Sequence, residues 1–143
     1  MRTDLLSQLV AQLLASAIAL SDDPLLRSIG SSTPPDVYQV PHSQIEAMTC
    51  TGPCEIRAFY VPYLGIFIDD DLDIVNNDYA RSILLHELIH HWQSALHKSS
   101  DLTQCDAWKR NEWEAYAMQD AYLESVASPI RVRTGIVSSF RCE

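Results

Sequence analysis

Apolar positions change their period along the chain. Over residues 4–20, Leu5, Leu6, Leu9, Val10, Leu13, Leu14, Ala17 and Ile18 recur at the helical spacing and predict an amphipathic helix. Ser21-Asp22-Asp23-Pro24 ends it and opens a short further turn reaching Ile29. Residues 30–36 are Gly-, Ser- and Pro-rich and read as a loop. From Val37 the pattern becomes that of strands. Val37–Val40 stops at Pro41, while Ile56–Val61 and Gly65–Asp69 flank the turn Pro62-Tyr63-Leu64 and predict an antiparallel hairpin. Pro41 and Pro62 suit edge or terminal positions, since proline brings no N–H to a ladder.

The helical period returns over Asp78–His97, with Asn76, Asn77 and Asp78 as candidate N-caps and Lys98-Ser99-Ser100-Asp101 as its break. A second long helix runs from Thr103 or Asp106 to Val126, before Ser128-Pro129. Residues 130–137 alternate and predict a last strand. The acidic run Asp69-Asp70-Asp71-Leu72-Asp73 lacks the glycine and terminal glutamate of a calcium-binding EF-hand loop and reads as a solvated turn. The expected fold class is α+β: a small, mainly antiparallel sheet, two long helices packed on it, and an N-terminal helix over the core. A length of 143 residues fits a single domain, 1–143.

Within the first long helix lies Leu84-Leu85-His86-Glu87-Leu88-Ile89-His90-His91-Trp92, which contains H-E-x-x-H. On a helix, His86 and His90 lie about 40° apart on one face and about one turn apart along the axis. Two imidazoles so placed can share one tetrahedral zinc ion. Glu87 projects about 100° around from His86 and flanks the metal, where a general base for an activated water belongs. Leu84, Leu85, Leu88, Ile89, Trp92, Ala95 and Leu96 fall on the opposite arc, and Gln93 shares the histidine face. The competing structural reading is a buried helix whose histidines are satisfied by hydrogen bonds.

This motif, together with Glu112-Trp113-Glu114-Ala115-Tyr116 downstream, resembles the zincin metallopeptidases and their gluzincin branch, in the form of a minimal, small bacterial-type domain. The resemblance covers about residues 76–125. It implies a zinc-dependent peptidase acting on a peptide or protein, with Zn2+ as cofactor and an edge strand that pairs with the substrate backbone. A third ligand is needed. The metzincin pattern fails, because Gln93 and Leu96 stand where its Gly and third His belong, and His97 sits about 10 Å along the axis from His90. Glu112 matches the first glutamate of the gluzincin E-x-x-A-[DNY] pattern. On the helical wheel it shares a face with Ala115, Tyr116, Gln119, Tyr122 and Leu123, whereas Glu114 points away. The expected metal ligands are His86, His90 and Glu112, and the expected catalytic residues are Glu87 and Tyr116. Tyr116 stands where relatives carry Asp or Asn; it orients a ligand, donates to the oxyanion or packs in the core. His91 or a strand tyrosine are further donor candidates. The alternative to an enzyme is a non-catalytic zincin-like module that binds zinc for structure or regulation.

Composition trims the remaining options. A net charge of −9 repels phosphate backbones and argues against nucleic acid as a partner. No run of about 18 clean apolar residues exists, so no membrane span is expected. Leu5–Leu20 raises the question of a signal peptide, with Ala17-Ile18-Ala19 as a cleavage site, but Asp4 and the interspersed Ser and Gln fit a helix of the folded domain better. The four cysteines suggest the disulfides Cys50–Cys54 and Cys105–Cys142, hence a periplasmic or secreted location; free thiols would point to the cytoplasm. Substrate preference and oligomeric state are not legible.

Overall fold

A computed structural model describes residues 2–28, 33–96 and 101–132. Its elements run α1 (Arg2–Leu20), α2 (Pro24–Ser28), β1 (Val37–Val40), α3 (His42–Thr49), β2 (Ala58–Val61), β3 (Gly65–Asp69), α4 (Asp78–Ala95) and α5 (Gln104–Ser125). The class is α+β. The sheet has the order β1-β3-β2, with β2 antiparallel to β3 and β1 parallel to it. It is therefore mixed, not mainly antiparallel: α3 and β2 lie between β1 and β3 in sequence and return the chain in the same direction. The hairpin appears as expected, with Ala58 opposite Ile68 and Tyr60 opposite Ile66.

Every residue of β3 is buried, because both faces of this central strand are covered. Ile66 and Ile68 face a core built with Leu9, Leu13 and Ala17 of α1 and Leu84, Leu85 and Leu88 of α4. Phe67 faces the other way, onto Val40 and Ile45, with Phe59 and Val61 alongside. α1 is thus a packed helix of the domain, and the apolar arc of α4 is its core face. Helix α3 is absent from the expectation: only Ile45 of its residues is fully buried, too few to raise a helical period. Gly65 is obligatory, since at φ +138° a Cβ would meet the Asp36 carbonyl oxygen at 2.5 Å. That carbonyl accepts from the Ile66 N–H at 2.8 Å, which sets β1 against β3.

The caps follow the expected chemistry. Asn77 accepts from the Ala80 N–H at the start of α4, and Thr103 accepts from the Asp106 N–H at the start of α5. Ile130–Val132 are not in a strand, and the remainder of the expected strand 130–137 lies outside the described residues. Cys50 and Cys54 are bridged. Cys105 is disulfide-bonded as well, and its expected partner Cys142 lies outside the described residues. Among the described residues, no helix is long and apolar enough to cross a membrane.

Candidate metal centre

Helices α4 and α5 pack side by side, with the fully buried Ala115 at their contact. This brings one oxygen of Glu112 between the two histidines. Its Oε1 lies 2.5 Å from His90 Nε2 and 3.4 Å from His86 Nε2, and the two Nε2 atoms are 3.1 Å apart. The ligand atoms of His86, His90 and Glu112 all fall within 4.8 Å of one another. Three groups that act as lone-pair donors to a cation thus face one point, and a metal ion fits that donor set. Glu114 is elsewhere: it faces the rear of the α4–α5 interface, 3.5 Å from Gln93 Nε2. Arg81 donates to the carbonyls of Ile74 and Val75.

Electrostatics at the centre follow from burial and proximity. Burial alone would raise the Glu112 pKa, but hydrogen bonds and charge from His86 and His90 bring it down to about 2. Desolvation pulls His90 down, and Glu112 and Glu87 more than reverse this, so its pKa is raised. Glu87 is only 8% exposed. Desolvation raises its pKa against the pull of both histidines and of a hydrogen bond from the Tyr60 backbone N–H. Its Oε2 lies 4.0 Å from His86 Nε2, beside the ligand atoms.

Tyr116 lines the same cleft and stacks obliquely on His86, with ring centroids 4.4 Å apart. Its phenol is hydrogen-bonded to Glu112, and burial followed by the nearby carboxylates pushes its pKa up to about 12. His91 is not in the cleft. It lies against Tyr60, 3.4 Å from the phenol oxygen, and is bonded to the Thr33 backbone, so it does not serve as an oxyanion donor.

The cleft measures about 820 Å³. Ile56, Arg57 and Phe59 form one wall, and Tyr79 of α4 and Trp108 of α5 form another. The β2 wall is braced from behind. Asp69, 1% exposed, accepts from Arg57 Nε at 2.8 Å, from His42 Nδ1 at 2.9 Å and from the Asp71 N–H at 2.9 Å. His42 Nε2 also reaches the Cys54 carbonyl at 2.9 Å. These bonds occupy Asp69, so the acidic run is a structural turn more than an ion cage.

Two groups of residues escape sequence reasoning. One is the brace of His42, Arg57 and Asp69, whose members carry no motif. The other is a pair of buried glutamines. Gln93 Oε1 lies 2.9 Å from His90 Nδ1, and Gln119 Oε1 lies 3.1 Å from His86 Nδ1. Their only signal is spacing: Gln93 is three residues after His90, and Gln119 is seven after Glu112 on the same helical face. Comparison with family models, with curated proteins and with solved structures found no match.

Proposed function

We propose that this chain is a zinc-dependent peptidase of the zincin type, gluzincin branch, acting on peptide or protein substrates. One observation carries the reading: His86, His90 and Glu112 converge on a point that the Glu87 carboxylate flanks within an open cleft. Two imidazoles and a carboxylate form a donor set that catalytic zinc takes while keeping a position open. When bound, zinc supplies the Lewis acidity that makes water nucleophilic near neutral pH.

The chain's own groups do the rest. Glu87 accepts the proton of the attacking water and returns it to the leaving amine. Burial, which raises its pKa, makes it a stronger base than an exposed carboxylate. Tyr116 keeps its proton over the physiological range; it steadies Glu112 and is placed to donate to a developing oxyanion. Among the described residues β2 is an edge strand of the sheet and lies along the cleft, where an extended peptide backbone can pair with the part of that edge beyond the Tyr60 N–H, which Glu87 takes. A purely structural zinc module gains nothing from burying an extra carboxylate beside its ligands, which favours the enzyme. The Cys50–Cys54 bridge supports a periplasmic or secreted location.

The test is metal content. The purified protein should bind about one zinc per chain, as a single catalytic site requires, and lose it to chelator. His86→Ala and His90→Ala should each abolish tight binding. Wild-type zinc content in either variant would reject the site.

A further inference from the structure

Gln93 and Gln119 are 4% and 3% exposed and have no part in the chemistry above. We propose that they are positioning residues that hold a proton on Nδ1 of His90 and His86, so that Nε2 is the atom each ring turns toward the metal point. The proposal rests on the metal-centre reading for its consequence and on hydrogen-bond logic for its geometry.

An amide has a donating end and an accepting end, and which is which follows from its neighbours. Gln93 Nε2 faces the Asn111 carbonyl at 2.9 Å. A carbonyl only accepts, so that end of Gln93 must be the NH2, and the end facing His90 must be oxygen. His90 Nδ1 must therefore carry a hydrogen.

The second relay has one more step. Ser82 Oγ donates to the Tyr79 carbonyl at 2.6 Å, which leaves its lone pairs to accept from Gln119 Nε2 at 3.0 Å. Gln119 therefore presents oxygen to His86, and His86 Nδ1 carries a hydrogen. Both relays end on a carbonyl that cannot change its role, one of Tyr79 in α4 and one of Asn111 in α5. In each ring Nδ1 carries a proton away from the centre; in the metal-free protein His90 Nε2, 2.5 Å from the Glu112 carboxylate, carries a second proton that a bound metal would displace, while His86 Nε2, 3.1 Å from His90 Nε2, turns its lone pair inward. Partners of this sort are commonly carboxylates in histidine metal sites. Neutral amides do the same job here without adding negative charge behind the ligands.

The experiment uses the full chain with 15N-labelled histidine. In the metal-free protein, long-range 1H–15N correlation should show His86 as the Nδ1–H tautomer. Gln119→Leu should return it to the Nε2–H form that a free histidine side chain prefers. Zinc affinity, read by competition with a chromogenic chelator, should fall about 10- to 100-fold in Gln119→Leu and in Gln93→Leu.

Conservative replacements should separate the two relays. Gln119→Glu should hold zinc at least as tightly as wild type, because the Ser82 hydroxyl can turn to the new carboxylate. Gln93→Glu should bind more weakly than Gln119→Glu, because it sets an oxygen against the Asn111 carbonyl. An Nε2–H tautomer at His86 in the wild-type protein would overturn the proposal. So would zinc affinity in both leucine variants within twofold of wild type. Wild-type protein that takes up no zinc would refute the metal-centre reading instead, and the metal-free spectrum would then decide the relay by itself.

Discussion

Asp69 is a buried carboxylate whose charge the surrounding fold depends on. Asp69→Asn keeps the shape and removes the charge. In the native protein one carboxylate oxygen takes both Arg57 Nε and His42 Nδ1, and the other takes the Asp71 N–H. An asparagine has one accepting end, so its NH2 must face a donor on one side whichever way it turns. Hydrogen bonds to charged groups contribute about 1.5–3 kcal/mol each. Arg57 is 42% exposed and can rehydrate, which places the loss at about 2–3 kcal/mol. For a domain of this size that corresponds to a Tm lower by about 8–12 °C. The pH profile carries a second signature. Burial alone would raise the Asp69 pKa; the Asp71 N–H, Arg57 and His42 outweigh this and lower it. Its contribution is therefore present above the ordinary carboxylate range and is lost as pH falls through the lowered native value. The His42 pKa is raised, first by the Cys54 carbonyl and then by Asp69 and Glu46. Its contribution is full below the ordinary value of 6.5 and is lost as pH rises through the raised value. Thermal melts should place the stability maximum between these limits, with the gap between wild type and Asp69→Asn closing in acid. A variant that melts within about 2 °C of wild type at pH 6, less than the shift expected from 1 kcal/mol, would refute the brace.

Glu112→Gln should weaken zinc binding by at least about tenfold, measured by chelator competition, since it removes one of three ligands. Glu114→Gln, on the rear side near Gln93, should leave zinc affinity within about threefold, the scatter of surface substitutions. Cys50→Ser with Cys54→Ser should cost about 2 kcal/mol in denaturant melts, the chain-entropy value for so short a loop.

The long helices, their caps and the hairpin were legible because each carries a strong local period or a turn signal. Placing Glu112 rather than Glu114 beside the histidines was also legible, because a helix of 22 residues fixes which side chains share a face. The parallel pairing of β1 was not. It depends on the crossover through α3, and α3 offers one buried residue and a proline in place of a side-chain cap. That His91 is not among the oxyanion donors could be read only from the fold, for a related reason. Its position on α4 allows contact with Glu87, but its ring is taken by Tyr60 and Thr33, contacts made only after the sheet docks. The glutamine relays share that dependence: Gln119 meets His86 across two helices, and neither sequence neighbourhood announces the partner.

The activity of Glu87→Gln tests the peptidase proposal most directly. The change is nearly isosteric and leaves His86, His90 and Glu112 in place. With a cleavable reporter peptide, the variant should keep its fold and its zinc while kcat/KM falls by about 10²-fold or more, the scale of a positioned general base. A zinc-loaded Glu87→Gln protein that cleaves the reporter as fast as wild type would contradict the proposed mechanism.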